Sequence, residues 1–243
     1  GMRDLTVTGV QTCALPICES GYLMVAVPTE FGGIWDGKSN GTRVVCEILK
    51  TLAQGDSSIA LVAAMHPAVI GSTGWVSIST APEPYTAAWN EQRQWAFQTV
   101  RDGHFWGTIM SEPGSGGDNT QSNSKATLKG NDNQYLVSGQ KHFGSGSGIA
   151  SYMVTHAMPD GESKPDTFIL DMRDLIWDGS SGVELIAPWA VHFMTSPQPP
   201  TSASPTSSLQ SPSYLLSPLL LYILSFLFPP LLPSLPPLPS PLS

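Results

Sequence analysis

Two glycine-rich segments of the chain hold the residue types best suited to contact a flat or anionic ligand. The first, MSEPGSGGD at residues 110–118, is a Glu-Pro turn that runs into a Gly/Ser loop. Backbone N–H groups in such a loop can approach a ligand closely, because glycine has no side chain. The second, YLVSGQKHFGSGSGIASYMVTHA at residues 135–157, has the pattern of strand, Ser-Gly turn, strand and a glycine-rich crossing into another apolar strand. If the two segments meet in space, they form a cradle for such a ligand.

A serine hydrolase is a second chemistry that these residue types could serve. The run GSGSG at residues 144–148 can be matched to the pattern GxSxG, with Ser145 or Ser147 as the nucleophile. A nucleophile elbow joins a strand to a helix, whereas this run precedes a predicted strand. The pattern therefore does not favour a hydrolase, and the sequence predicts no catalytic residue.

The elements that precede these segments are predicted to be helical. Residues 40–54 are predicted to form one helix, which Gly55 ends. Asp56, Ser57 and Ser58 are candidate N-caps for a second helix over 57–70. The second helix is apolar nearly all round, so we expect it to be buried. A third, more polar helix is predicted over 84–100. The first helix carries one apolar stripe, made of Val44, Val45, Ile48, Leu49 and Leu52.

The elements that carry the two segments are predicted to be strands. Short β-type runs, separated by clusters of Gly, Asn and Ser, occur at 108–110, 125–128, 135–139, 151–157, 167–172 and 183–186. Runs of this length and spacing are typical of an antiparallel sandwich or barrel. Helices followed by strands indicate an α+β protein. The sequence therefore predicts a partial helical domain over 21–103 and a β domain over 104–196.

Composition excludes several classes of protein. The chain of 243 residues has a formal net charge of −8, and all its charged residues lie in the first 196. It has no basic stripe, so nucleic acid is not a predicted partner. Its cysteines, Cys13, Cys18 and Cys46, are odd in number and lack paired CxxC spacing. Neither a disulfide framework nor a metal site is predicted, and the pattern favours a reduced, cytoplasmic setting.

The first 20 residues are predicted to be an artefactual or disordered leader. The stretch VTGVQTCALPI at residues 7–17 resembles the translation of a sequencing-library adapter. A short apolar strand is the alternative. A signal peptide is not favoured, because no basic leader precedes an apolar core and Pro16 interrupts the only candidate.

The tail over 197–243 has a low-complexity composition and is predicted to be disordered. From residue 215 onward it contains only Leu, Pro, Ser and Phe, apart from Tyr222 and Ile223. These four amino acids can be encoded by pyrimidines alone, so an out-of-frame C/T-rich tract is one interpretation. A Pro-rich interaction tail is another. A membrane anchor is less favoured, because the apolar run at 215–228 is shorter than the roughly 20 residues of a membrane span.

The order and spacing of the two glycine-rich segments resemble the middle β-domain of the acyl-CoA dehydrogenase family. In that family, EPGxGSD and NGxKxxIT-type segments wrap the flavin ring of FAD. The apolar stretch ending in Gly-Gly at 21–33 also resembles the family's PxxxGG segment. The run APWAVHFMTS at 187–196 resembles its W-x-x-x-GM-x-x-T segment, with Phe193 in the glycine position. The resemblance implies FAD as the cofactor.

The resemblance also implies which residues contact the cofactor. Met110 and Ser111 fall where backbone and a hydroxyl face the flavin. Phe143 falls where an aromatic ring covers it, and Ser145 falls where a hydroxyl bonds near N5. Gly117 falls where most members have the serine of GSD, which implies an altered contact with substrate or phosphate. The alternative that Ser111 and Ser145 only cap turns remains open.

Glu112 is the carboxylate nearest to this proposed site in the sequence. The resemblance places it in the turn, where it holds backbone or a neighbouring base and does not act in catalysis. The usual base of the family is a Glu of a C-terminal helical bundle. No carboxylate follows Thr195, so the chain is expected to lack that bundle and to be inactive alone.

The implied reaction removes a proton beside a thioester carbonyl and passes a hydride from the β-carbon to the flavin. The implied substrate is therefore of the acyl-CoA type, and full-length members of the family are homo-oligomers. The electron acceptor is not predicted, and a membrane partner is not expected. Two alternatives remain: a flavin-dependent monooxygenase on the same scaffold, and a non-enzymatic or misassembled fragment.

Overall fold

The helical part of the protein comes first in the chain. The computed structural model describes residues 16–77, 79–114, 118, 121–129, 134–176, 178–187, 213–216 and 223–224. Among the described residues, a helical turn at 16–19 and two short 3-10 helices, Tyr22–Ala26 and Thr29–Phe31, precede three longer α-helices. The α-helices are α1 (Lys38–Gly55), α2 (Ser57–Ser72) and α3 (Thr86–Arg101). All three lie where the sequence predicts them.

The boundary between α1 and α2 follows from a capping residue. Asp56 Oδ1 accepts hydrogen bonds from the backbone N–H groups of Ser58 and Ile59, at 2.8 and 3.1 Å. These donors have no partner within the helix, so the carboxylate stabilises its first turn. The expectation that α2 is buried all round is wrong for one face, since Leu61 is 38% exposed. The buried face of α2 packs against α1 and strand β1.

Within the part of the chain that the structure describes, eight strands follow the helices. They are β1 (Trp106–Thr108), β2 (Lys125–Lys129), β3 (Gln134–His142), β4 (Tyr152–Pro159), β5 (Asp166–Asp171), β6 (Val183–Ala187), β7 (Ser213–Leu216) and β8 (Ile223–Leu224). The first six overlap or adjoin the β-type runs of the sequence. Strands β7 and β8 lie in the tail and pair with β3. The predictions for the rest of the tail, and for residues 1–15 of the leader, lie outside the described residues.

The strands form one sheet in the order β1-β4-β5-β8-β3-β7-β6, with β2 pairing with both β3 and β4. Strand β1 runs parallel to β4, with Trp106 opposite Tyr152, and β2 is also parallel to β4. The remaining pairs are antiparallel. The predicted α+β class is confirmed, but the sheet is mixed where a purely antiparallel one was expected. The long connection from β1 to β4, which contains two other strands, allows the parallel pairing.

The helices meet the sheet at a cluster of aromatic side chains around Trp106. This ring stacks on Tyr152, with centroids 4.9 Å apart, and meets Trp75 and Trp95 edge-on at 5.2 and 5.6 Å. Trp75 and Trp106 are fully buried. Such offset and edge-to-face arrangements are favoured by the ring quadrupoles and add to the free energy of burial. The cluster therefore joins helices and sheet into one core at the first residue of β1.

Two further properties of the described residues bear on the predicted function. None of the helices within them is long and apolar enough to cross a membrane. Nor do three or more His, Cys, Asp or Glu side chains within them form a group that could hold a metal ion.

Candidate functional site

The two glycine-rich segments meet at the carboxyl end of β3. The backbone N–H of His142, the last residue of β3, donates to the carbonyl of Ser111 over 2.7 Å. Ser111 therefore lies directly beside the point where the chain leaves β3 and reaches Phe143. The structure brings together Met110, Ser111, Phe143 and the loop that carries Ser145, as a shared cradle requires. Gly117 lies outside the described residues, so its role in substrate contact stays a prediction.

The first segment is anchored by the strand that precedes it. The backbone N–H of Ile109 donates to the carbonyl of Val154 over 2.9 Å, and the Ile109 carbonyl accepts from the hydroxyl of Thr155 at 2.6 Å. Ile109 is buried, whereas Met110 and Ser111 are only half-buried. The chain thus emerges from the core at Met110, and the two predicted ligand-facing residues lie at its partly exposed rim.

Phe143 combines a strained backbone with an exposed ring. It is the only residue other than glycine in the described part of the chain with a positive φ, at 57°. A side chain with a Cβ disfavours this conformation, and such residues occur preferentially at functional sites. The ring is 48% exposed although it is large and apolar. The chain therefore holds an aromatic surface at the cradle, in a conformation that glycine would adopt more easily.

The loop after Phe143 is a compact series of turns. The Ser145 N–H donates to the Phe143 carbonyl at 2.8 Å, and the Ala150 N–H donates to the Gly146 carbonyl at 2.9 Å. Gly146 has a φ of 79°, and a Cβ there would lie 3.2 Å from Cγ1 of Val62 on α2. A residue with a Cβ at position 146 would therefore be strained in its backbone and tightly packed against Val62, and glycine avoids both. It leads into β4 and not into a helix, so a nucleophile elbow is absent at this place.

Beneath the cradle lies a buried ion pair between Glu112 and Lys141. The Lys141 side chain is fully buried, the Glu112 side chain is 2% exposed, and Nζ and Oε1 are 2.5 Å apart. Lys141 Nζ also donates to the carbonyl of His156 at 2.6 Å and to that of Met110 at 3.5 Å. Burial lowers the pKa of Lys141, and Glu112 opposes that shift. The ammonium group thus joins the first segment, β3 and β4.

The carboxylate of Glu112 binds backbone N–H groups, as the sequence interpretation implies. Its carboxylate accepts from the backbone N–H groups of Asn123 and Ser124, at 2.5 and 3.2 Å, and from the hydroxyl of Ser122 at 2.6 Å. Burial would raise the pKa of Glu112, but the hydrogen bonds, with that from Lys141 the largest, lower it to about 2. A carboxylate with so low a pKa is a poor proton acceptor. Glu112 is therefore a structural residue in this protein.

Sequence reasoning singled out Glu112 but missed Lys141. One signal was present: Lys141 is four residues after Val137 on the same strand, so the two side chains lie on the same face. Val137 is fully buried. An apolar face that ends in lysine indicates a buried cation with a partner, because lysine is almost never buried unpaired.

The segment that supplies donors to Glu112 packs closely on β3 at Gly139. A Cβ at this position would lie 2.1 Å from Oγ of Ser124 and 2.8 Å from its Cα. Any residue larger than glycine would force the two backbones apart. The Ser-Gly step that the sequence indicates as a turn is thus a close approach within the continuous strand β3.

Residues 107–192 match the sequence model of the acyl-CoA dehydrogenase middle domain. The resemblance to the acyl-CoA dehydrogenase family is confirmed. The matched residues include β1 apart from its first residue, Trp106, and all five strands from β2 to β6. The family likeness therefore covers Met110, Ser111, Phe143 and Ser145. No curated protein matches the chain in sequence.

Solved structures extend the likeness to the helical part. The chain is similar to TdsC from Paenibacillus sp. A11-2 with FMN and indole, at 22% identity over 87% of this chain and 45% of that one, with a TM-score of 0.57. It is similar to an acyl-CoA dehydrogenase complexed with FAD from Bacillus anthracis, at 20% identity over 85% and 30%, with a TM-score of 0.54. It is also similar to methanesulfinate monooxygenase MsuC from Pseudomonas fluorescens, at 21% identity over 86% and 44%, with a TM-score of 0.54.

These likenesses establish a shared fold, because the identities are low. The chain spans less than half the length of each of these three structures. The acyl-CoA dehydrogenase fold is thus used both by proteins with FMN and by proteins with FAD, and by a monooxygenase.

Proposed function

We propose that the chain is part of a flavin-dependent oxidoreductase of the acyl-CoA dehydrogenase type, with FAD as its cofactor. The observation that supports this most directly is the hydrogen bond from the His142 N–H to the Ser111 carbonyl. It brings the two segments that resemble the flavin-binding segments of the family to one place. The shared fold and the match to the middle domain support the same proposal.

The residues at the cradle have the chemistry that a flavin needs. A flavin ring presents two flat apolar faces and a polar edge, so its site combines an aromatic or apolar surface with a few hydrogen-bond groups. Phe143 supplies an exposed ring, and Ser111 and Ser145 supply hydroxyl and backbone groups at half-buried positions. The cradle and the cofactor therefore fit, with Met110 contributing backbone.

When bound, the flavin accepts a hydride from the CH–CH group of an acyl thioester. The residues of this chain would orient the ring: Phe143 would cover one face, and Ser145 would bond at the polar edge near N5. Ser111 would bond the edge from the other segment. Gly117 would leave room for substrate or phosphate. These residues would orient the flavin ring and exclude water from it, so that ring and substrate are held close together in a reactive geometry.

The reaction also needs a base that removes a proton beside the thioester carbonyl. Glu112 does not suit that role, because four donors already engage its carboxylate. We therefore expect the base to come from outside the described residues. This chain is therefore expected not to turn over acyl-CoA alone. By analogy with the family we propose a cytoplasmic homo-oligomer.

A monooxygenase is a second candidate, because MsuC shares the fold to the same degree as the acyl-CoA dehydrogenase. The two functions differ in how the reduced flavin meets oxygen. Mixing the photoreduced flavin complex of the chain with oxygenated buffer separates them. Fast reoxidation by oxygen in the stopped-flow record favours the monooxygenase, and slow reoxidation favours the dehydrogenase.

Flavin titration tests the proposal itself. The purified chain of 243 residues is titrated with FAD and, separately, with FMN, and binding is followed by the visible absorbance and the quenching of flavin fluorescence. We expect saturable binding with a preference for FAD. Tighter binding of FMN would change the cofactor assignment. A folded chain that binds neither flavin would overturn the proposal and leave a non-enzymatic or misassembled fragment.

A further inference from the structure

We propose that the Glu112–Lys141 ion pair is a positioning element for the flavin cradle, and that it acts by orienting the peptide between Met110 and Ser111. This inference rests on the proposed function, because it assigns a role to the pair in flavin binding. Neither residue would touch the flavin. Both would act through the backbone that does.

The starting point is how Lys141 uses its donors. An ammonium group has three N–H donors and no acceptor. Three acceptors surround Nζ: Oε1 of Glu112 at 2.5 Å, the carbonyl of His156 at 2.6 Å and the carbonyl of Met110 at 3.5 Å. Its side chain is fully buried, so no bulk water competes for these donors. The group is therefore held in one orientation, and the Met110 carbonyl faces it.

The orientation of the Met110 carbonyl determines that of the next N–H. In a trans peptide, the carbonyl of one residue and the N–H of the next point in opposite directions. Since the Met110 carbonyl faces Lys141 Nζ, the Ser111 N–H points away from the ion pair. The Ser111 carbonyl in turn accepts from the His142 N–H. Both peptides around Ser111 are thus fixed.

Glu112 fixes the same segment from the other side. It follows Ser111 directly, and its carboxylate is tied to the backbone of Asn123 and Ser124. A carboxylate with these donors holds its own backbone in place as well as theirs. Ser111, which is half-buried, therefore lies between two anchored residues.

The charges themselves argue for a role beyond stability. A buried ion pair contributes little net stability compared with apolar residues of the same shape, because both charges lose their hydration. Apolar residues could fill this space, but they could not donate to the Met110 carbonyl. Packing alone therefore does not explain why an N–H donor, the Lys141 ammonium group, lies at this position.

The test compares flavin binding in the full chain and three variants. Lys141→Met removes the donor and leaves the carboxylate unpaired. The double variant E112Q/K141M removes both charges, so no unpaired buried charge remains. Leu170→Ala is the control, because it opens a cavity at a fully buried position in β5, a strand that supplies no residue to the cradle. Each chain is checked by tryptophan near-UV circular dichroism and its midpoint in urea, and then titrated with FAD.

We expect the double variant to stay folded and to bind FAD about tenfold more weakly, because a cradle peptide has lost its donor. The visible spectrum and reduction potential of its bound flavin should also shift. Leu170→Ala should leave the visible spectrum and the reduction potential of the bound flavin unchanged. Its affinity for FAD should stay within about twofold of that of the unmodified chain, even if its urea midpoint falls. Lys141→Met should bind no more tightly than the double variant.

The outcomes separate the two proposals. If the unmodified chain binds no flavin, the proposed function fails and this inference fails with it. If it binds flavin and the folded double variant retains the same affinity, spectrum and potential, the positioning role alone is wrong. Should Lys141→Met not fold, the double variant decides the question. An equal loss of affinity in Leu170→Ala at matched stability would also overturn the inference, since general destabilisation would then explain the effect.

Discussion

The imidazole of His66 and the backbone of Trp106 are joined by a hydrogen bond that links helix α2 to strand β1. The Trp106 N–H donates to Nδ1 over 3.0 Å, and Nε2 donates to the carbonyl of Leu23 over 2.9 Å. These two bonds require the neutral imidazole, because Nδ1 has to accept. The ring is fully buried, and this burial lowers its pKa from about 6.5 to about 4. His66 is thus a structural histidine that connects three parts of the fold.

The stability of the protein should therefore depend on pH through His66. Because the folded pKa lies below the unfolded one, the unfolded chain binds more protons between about pH 6.5 and pH 4. The contribution is complete above pH 6.5 and is lost as the pH falls through 4, by about 3 kcal/mol in total. Urea unfolding at a series of pH values from 7.5 to about 4.5 measures this slope.

The variant His66→Gln isolates the effect, because glutamine can also donate and accept but does not titrate. Its stability should be lower at neutral pH and should lack the part of the slope due to this histidine. An unchanged slope in the variant would assign the pH dependence to other groups.

Phe143 gives a prediction that separates the effect of its backbone conformation from that of its aromatic ring. The αL conformation costs a residue with a Cβ about 1–2 kcal/mol relative to glycine, and Phe143 has a φ of 57°. Phe143→Gly should therefore be more stable than Phe143→Ala by about 1 kcal/mol. Both should bind FAD more weakly, because both lose the ring. Urea unfolding and FAD titration of the two variants give the comparison.

A contrary result would be informative for each half of this prediction. Equal stability of the glycine and alanine variants would mean that the backbone at 143 relaxes without the aromatic ring. If both variants bound FAD with unchanged affinity, Phe143 would not contact the flavin. Ser111 and Ser145 would then be the remaining candidate contacts.

The N-cap of α2 provides a prediction that does not depend on the proposed function. Asp56 Oδ1 accepts from two N–H groups of the first turn, so Asp56→Ala should lower the free energy of unfolding by about 1 kcal/mol. Asp56→Ser retains a capping oxygen and should recover most of the loss. Urea unfolding measures both. If serine destabilised as much as alanine, the cap would not be the source of the stability.

Much of this fold could be predicted because its signals are local. The helix boundary at Gly55 and Asp56 and the six runs of strand residues depend on nearby side chains, which the sequence shows directly. The parallel pairing of β1 with β4 could not be predicted, since it depends on how distant segments return to the sheet. The same limit applies to the sheet order.

The site could be predicted only in part, because some of its features are local in the sequence and others depend on the fold. The glycine-rich segments indicated which loops to compare, and the structure brings Ser111 and the end of β3 together. The positive φ of Phe143 was not predictable, because its residue type argues against that conformation. The burial of Lys141 was missed because lysine is normally exposed, and only its pairing with Glu112 makes burial possible.

Gly139 gives the sharpest prediction about the support of the cradle. A Cβ at this position would lie 2.1 Å from Oγ of Ser124 and 2.8 Å from its Cα, so it would meet backbone as well as a movable side chain. Gly139→Ala should push away the segment whose N–H groups bind Glu112, at a cost of about 3 kcal/mol or more. Gly161→Ala is the matched control, because its φ is 82° but its Cβ would meet nothing within 4 Å. The control should lose only about 1–2 kcal/mol, from backbone strain alone. Urea unfolding of the two variants measures the difference, and similar losses would show that the contact between β3 and Ser124 can open at little cost.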